Sequence, residues 1–473
     1  MFFEHDDTFL KTLMKSSREQ IWIPLFLLFS HVALAQEKIP SDEFYQHRQN
    51  LLAQLPEGIL LLHARNIFVN DDELLSHGFQ QNPSFFYFTG LASAVNAILA
   101  LDGGTKESWL FVPPQLSGAE KWLPNALIVP GPGSAKKWRF DHVAAWEGFT
   151  SFLDRRQQQA PLKLYIDDSY WVPPPSSNPV GLLPISDTPV LWRNALAARW
   201  PQAEIRSARQ MIAALRMIKT PTEIQIIRRV AAASAAALLA GLRNLRAGKS
   251  QREVEAEVVC GCIRAGAEGP SFWPWVMSGP NAVIPKPFES LVDYYHLNRR
   301  MQAGELVRVD VGCDLDFYKG DVGRTAPVSG HFSPEQREVW NLLIDLYRAG
   351  VAVIRPGSGH EDIIAACRKE VERRQSSLQT VLAKEAATIL LNPANQSIWH
   401  LHSSGLEPGE KAPAGVFKAG MVLEFEPMFA VGGQAFYLED MLLVTNGGCE
   451  ILTMGLPYTA DEIERAMTIT PDH

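Results

Sequence analysis

The chain has 473 residues, 46% hydrophobic and 20% charged, with a formal net charge of −8. That length exceeds what one hydrophobic core usually supports and points to two domains, while the acidic balance and the lack of any Lys/Arg run exclude nucleic acid as the main partner. Five cysteines without a Cys-x-x-Cys exclude a disulfide scaffold; Cys260 and Cys262 could pair, but read better as two apolar positions of one helix.

The first residues read as an export signal. Residues 21–29, IWIPLFLLF, form an apolar core behind Lys11, Lys15 and Arg18, and Ala33-Leu34-Ala35 is a small-x-small cleavage site. The stretch is too short, and too broken by Pro24, to span a bilayer comfortably. A signal peptide over 1–35, cut after Ala35, predicts a periplasmic or secreted protein. No Cys follows the cut, so no stable membrane anchor is expected. The acidic start (Glu4, Asp6, Asp7) leaves both Met1 and Met14 open as the true first residue.

Residues 41–200 read as a mixed α/β domain. Short strands are expected at 58–62, 97–101 and 109–112, with an aromatic one at 85–90 (FFYFTG) and Trp/Pro-rich loops such as 171–177. This half carries no nucleophile motif, phosphate loop or ligand cluster. Its expected role is to shape a cleft or an oligomer contact, and a homo-oligomer is expected.

From 205 to 460 the pattern changes to long helices. Thr220-Pro221-Thr222-Glu223 is a capping box with Pro at the first helical position, opening an Ala-rich helix that ends near Gly248. Ser250 with Glu253, Ser333 with Gln336, and Ser358 with Glu361 open three more. Strands close the chain at 421–428 and 435–444. The fold class is α+β: a mixed α/β domain, then helices packed on one face of a curved antiparallel sheet.

The chemistry concentrates in residues 307–327. Val307, Val309 and Val311 alternate with Arg308 and Asp310, a strand pattern; residues 312–316 then turn the chain into a second extended run over 318–324. Asp321, eleven residues after Asp310, thus sits on the neighbouring strand. Converging buried carboxylates need neutralising, and a pair of divalent cations does so. Glu424 and Glu426 share one strand face, Glu439 follows on the partner strand, and His402 offers an imidazole. Asp310, Asp321, His402, Glu426 and Glu439 together supply what two metals sharing bridging carboxylates require, with Mn favoured and Co or Zn compatible. Each residue alone is as well explained as a solvated acid or a surface histidine; five at strand positions are not.

The carboxy-terminal half resembles the aminopeptidase P and prolidase group of pita-bread metallopeptidases. The matching stretches are Leu215-Arg-Met-Ile-Lys219 with Glu223, Val309-Asp310-Val-Gly, Gly320-Asp321-Val-Gly-Arg324-Thr325, His402-x-x-Gly405-Leu406, Glu426-Pro427 and Glu439-Asp440. The aromatic run at 85–90 looks like the amino-terminal domain of the same group. The resemblance implies a pita-bread domain, the same five metal ligands, manganese as the usual metal, and hydrolysis of the bond between an amino-terminal residue and proline.

Three positions depart from the group's pattern. A histidine expected seventeen residues before Asp310 is Asp293, one expected seven after His402 is Gly409, and an arginine often found just before the last Glu-Asp is Tyr437. Glu426 is the expected base, and His296 and His400 are the nearest replacements for the proton-handling histidines. The expected function is an exported metallo-aminopeptidase acting on short peptides with proline second. The alternative is a degenerate metal-binding relative that binds peptides. Creatinase-like relatives, which share the fold without metals, fit less well because the ligand positions are kept.

Overall fold

The computed structural model describes residues 39–468 apart from 56, 66–79, 114–127, 169–187 and 412–414. The expected signal peptide and the Trp/Pro-rich loop at 171–177 lie outside the described residues.

Helix α1 (Ser41–Gln54) covers a six-stranded mixed sheet built from β1 (Ile59–His63), β2 (Ile98–Asp102), β3 (Glu107–Val112), β4 (His142–Ala145), β5 (Lys163–Ile166) and β6 (Glu204–Ser207). The strand order is β4-β3-β2-β1-β5-β6, antiparallel through β1–β2–β3 and parallel at β3–β4, β1–β5 and β5–β6. β1 lies in the middle, and its four leading residues, all apolar, are buried, as a strand covered on both faces requires.

The aromatic run expected as a strand is instead a helix, α2 (Pro83–Thr89). The Asn82 side chain accepts from the backbone N–H groups of Ser84 and Phe85, Pro83 holds a first-turn position, and Gly90 closes the helix in the left-handed conformation. Residues 84–89 are all buried, so no polar face betrays a helical period. The cap decides the structure against the aromatic preference for strands.

In the second half, α3 (Pro221–Asn244) and α4 (Gln251–Arg264) each start with the expected capping box. Their backbones approach closely at Gly261, where a Cβ would lie 2.8 Å from the Ala237 Cα. Further on come β7 (Trp275–Ser278), α5 (Lys286–Leu297), β8 (Leu306–Val311), β9 (Cys313–Leu315), β10 (Tyr318–Lys319) and β11 (Val322–Pro327). Helices α6 (Pro334–Ala352), α7 (His360–Gln375) and α8 (Val381–Leu391) precede β12 (Trp399–Ser403), β13 (Val422–Val431), β14 (Gln434–Thr445) and β15 (Gly448–Ile451). The large sheet runs β12-β13-β14-β11-β8-β7, every neighbour antiparallel, with β15 added on β14. Helix α6 packs on it through Tyr347, whose ring stacks on Phe425 at 5.6 Å.

Three local expectations are corrected. The fourth helix is capped at Gly359, whose N–H donates to the Asp362 carboxylate at 2.8 Å, while the Ser358 hydroxyl turns back to the Arg355 carbonyl. The turn falls between β9 and β10, at Asp316 and Phe317, both with positive φ, and not over 312–316. Phe317 is held there by stacking on Phe86 at 4.2 Å; Gly312 serves a different need, since a Cβ on it would lie 1.6 Å from the Gly320 oxygen. Finally, Cys262 pairs with Cys313, tying α4 to β9, and Cys260 is free and exposed. Both cysteines do lie on one helix, but the partner of the inward-facing one is 51 residues away in sequence.

Candidate metal centre

Strand register aligns the site. Asp310 on β8 lies opposite Gly323 on β11, Gly323 opposite Glu439 on β14, and His400 on β12 opposite Glu426 on β13. The β13–β14 pairing, Phe425 to Asp440 and Met428 to Tyr437, sets Glu426 level with Glu439. One transverse row therefore carries Asp310, Glu439, Glu426 and His400. Asp321 enters just ahead of β11, and His402 sits one step along β12, opposite Glu424.

The side chains converge around one nitrogen. His402 Nε2 lies 3.4 Å from Glu426 Oε1, 3.6 Å from Glu439 Oε1 and 3.7 Å from Asp321 Oδ2. Asp310 joins through Arg308, whose Nη2 donates to its Oδ2 at 2.7 Å and stands 4.0 Å from Glu426 Oε2. Asp310, Asp321, Glu424, Glu426 and Glu439 are all buried, as is Arg308.

So much buried negative charge distorts proton affinities. Burial, then the Glu439 and Asp310 carboxylates, push Asp321 well above the usual range. Burial and Glu426 raise Glu439 to about 7, and burial raises Asp310 against the pull of Arg308. Glu426 goes the other way: despite burial, hydrogen bonds from His400 and His402 hold it low. Burial disfavours charge on His402, but Glu426 and Glu439 outweigh it and raise the imidazole well above its ordinary value.

Divalent cations fit these residues. Asp321 Oδ1, Glu424 Oε2 and Glu439 Oε1 are buried oxygens without a hydrogen-bond partner, a state that costs free energy unless a cation takes their lone pairs. The donors are carboxylate oxygens with one imidazole, the set that suits Mn, Co or Zn. Asp310, Asp321, His402, Glu426 and Glu439 would hold the ions, with Glu424 behind His402, its Oε1 accepting from the Ser404 hydroxyl.

Arg308 was not singled out in the sequence. The signal was present: a charge two residues before Asp310, on the same strand face, among valines. Its guanidinium lies over the Tyr437 ring at 4.0 Å, and the Tyr437 hydroxyl donates to Glu439 Oε2. The motif at 215–219 also gains a use, since Arg216 and Lys219 both bind the buried carboxylate of Glu410, at 2.6 and 3.0 Å, in the segment after His402.

The two candidate proton carriers part company. His400 Nδ1 donates to Glu426 Oε1, and its ring centre lies 5.4 Å from that of His402, so it stands at the row. His296 does not. It lies in the last turn of α5 with 78% of its side chain exposed, its Nδ1 2.5 Å from Asp293 Oδ1. Among the described residues no hydrogen bond or ion pair links it to the carboxylates. The backbone breaks from helical geometry at Asp293 (φ −139°, ψ 41°), and the last turn that follows leaves Asp293 and His296 paired with each other in solvent.

Residues 225–446 match the model of metallopeptidase family M24, and residues 44–165 match that of the aminopeptidase P amino-terminal domain. The chain belongs to the aminopeptidase P and prolidase group. A Xaa-Pro aminopeptidase of Haemophilus influenzae is 24% identical over 91% of this chain and 98% of its own. A Xaa-Pro dipeptidase of Pyrococcus furiosus is 27% identical over 53% of this chain and 67% of its own. Among solved structures, Pseudomonas aeruginosa aminopeptidase PepP superposes with a TM-score of 0.70 at 24% identity, covering 91% of this chain and 98% of that one. The low-pH form of Escherichia coli aminopeptidase P gives 0.70 at 25% identity with the same coverage. The fold of the second half is thus the pita-bread fold. At Tyr437, where an arginine was expected from the resemblance, the guanidinium of Arg308 lies over the ring from the neighbouring side of the row.

Proposed function

We propose that the protein is an exported aminopeptidase that uses two divalent ions to release the amino-terminal residue from short peptides with proline second. The observation that carries this is the transverse row of Asp310, Glu439 and Glu426 with Asp321 and His402 at its side. Bound there, the ions would supply Lewis acidity toward the scissile carbonyl and lower the pKa of a nucleophilic water. Glu426, kept ionised by its histidines, is the group suited to accept the proton of that water. His400, in contact with Glu426 and 55% exposed, is suited to pass a proton onward to the leaving proline nitrogen. Arg308 holds Asp310 from behind.

The names of the relatives, Xaa-Pro aminopeptidase and Xaa-Pro dipeptidase, favour a prolyl substrate. Manganese is the metal we favour. Export is supported by the residues before 36 and by the Cys262–Cys313 disulfide, since such bonds persist in oxidising compartments. We expect a homo-oligomer in which the amino-terminal domain narrows the cleft.

The test is hydrolysis of a peptide panel, Xaa-Pro-Xaa beside Xaa-Ala-Xaa, by metal-stripped protein resupplied with Mn²⁺, Co²⁺ or Zn²⁺. Release of the first residue from prolyl peptides alone is expected. Metal uptake without turnover on any peptide would favour the second reading, a peptide-binding relative, which Asp293 and Gly409 at the two histidine positions motivate.

A further inference from the structure

A second cluster lies where α1 meets the first turn of α3. Glu43 and His47 stand one turn apart on α1, and Glu223 belongs to the capping box of α3. One ligand atom from each lies within 4.8 Å of the other two. His47 is the informative member. Its Nδ1 donates to the Tyr87 carbonyl at 2.8 Å, and its ring stacks on Tyr87 at 3.9 Å, so the ring is fixed and the lone pair resides on Nε2. That nitrogen belongs to a side chain only 2% exposed, faces Glu43 Oε1 at 3.6 Å, and neither atom has a hydrogen-bond partner. Glu223 is buried and oriented by two donors, the Thr220 N–H and the Tyr318 hydroxyl, each at 2.8 Å.

We propose that Glu43, His47 and Glu223 bind one zinc-like divalent cation that pins the first helix of the amino-terminal domain to the metallopeptidase domain. A histidine whose other ring N–H is held by a backbone carbonyl is the arrangement that presents an imidazole to a metal. A tetrahedral zinc ion with bonds of about 2.0–2.1 Å sets its ligand atoms about 3.3 Å apart, close to the spacing already present between Glu43 and His47. One imidazole and two carboxylates balance the ion's charge. The Glu43 side chain, 16% exposed, leaves a route for a water in the fourth position. Zinc suits this set better than calcium, which takes six or more oxygens. Without a cation, Glu43 is left with the His47 ring and the Thr220 and Thr222 side chains as partners, and the His47 Nε2 lone pair stays unused.

Zinc content of the full chain, measured after equilibration with Zn²⁺ and gel filtration, tests the proposal. Glu43→Gln and His47→Ala should each hold one equivalent less than the parent, with prolyl-peptide turnover within twofold of it. An Asp321→Asn/Glu439→Gln protein, disabled in the transverse row, should still bind one equivalent, and Co²⁺ in its place should give visible absorption of tetrahedral N/O type. Adding His47→Ala to that protein should abolish both. Equal zinc in the parent and in the folded Glu43→Gln protein would overturn the proposal, leaving a buried ion pair. So would a row-disabled protein that folds but binds none.

Discussion

The candidate ligand carboxylates make the most direct prediction of single-residue behaviour. Asp310→Asn or Glu439→Gln removes a negative charge from a site that balances cations, so metal content and peptide turnover should fall together while the circular dichroism spectrum stays native. Full metal occupancy in either protein would show that these are not ligands. Arg308 should act through Asp310: Arg308→Met is expected to weaken metal binding about 10–100-fold, the usual effect of removing a partner that orients a ligand. Arg308→Met with Tyr437→Arg should recover part of that loss, read from metal titration. Glu410 provides a pH test with a defined sign. Arg216 and Lys219 hold its carboxyl near 2 against the cost of burial, below the usual 4.5. That difference stabilises the fold by about 3 kcal/mol above pH 4.5, and the contribution disappears as pH falls from 4.5 toward 2. Glu410→Gln should therefore unfold earlier than the parent in denaturant at pH 7, with the gap closing in acid. At this scale the sequence was legible where chemistry is written in residue type: Asp321, His402, Glu426 and Glu439, named as candidates from the sequence, do converge, with Asp310 beside them through Arg308. Arg308 was passed over because a lone arginine beside valines is ordinary on a half-exposed strand, and only cross-strand register reveals that it meets Tyr437.

Strands and helices were legible wherever a local signal decides them. The Thr220, Ser250 and Ser333 boxes each begin a helix as read, because cap and first turn are settled within four residues. The run at 85–90 was not, because a helix buried on every side shows no period, and the evidence lay just upstream in Asn82-Pro83. The turn at Asp316-Phe317 was hidden for another reason: its unfavourable φ angles are held by a ring from the other half of the chain. Gly323 shows how an element depends on tertiary fit. A Cβ there would lie 1.9 Å from the Tyr437 ring, in the middle of the ligand row. Gly323→Ala should cost about 1–3 kcal/mol by overpacking and should misplace Glu439, measurable as a lower melting temperature with weaker metal binding. Pairing it with Tyr437→Ala should restore much of the stability.

Across the whole molecule, the Cys262–Cys313 bond closes a loop of 51 residues around the segment that carries α5 and β8. Chain-entropy arguments give such a closure about 4 kcal/mol, so Cys262→Ser should melt well below the parent, and reductant should lower the parent's melting temperature but not the variant's. Neither cysteine announced its partner in the sequence, because the match is made by tertiary packing: α3 lies against both α4 and β9 and brings them together. The contact between Arg308 and Tyr437 has a different reach. The two residues lie on strands far apart in the chain yet share one contact, so changing either alters the surroundings of the other. A recombinant that joins this chain to a relative with arginine at the later position and an uncharged residue at the earlier one, at any crossover between them, would receive either two guanidinium groups or none at the metal row. Chimeras spliced outside the pair should keep metal, and those spliced within it should lose it, however well both parents fold.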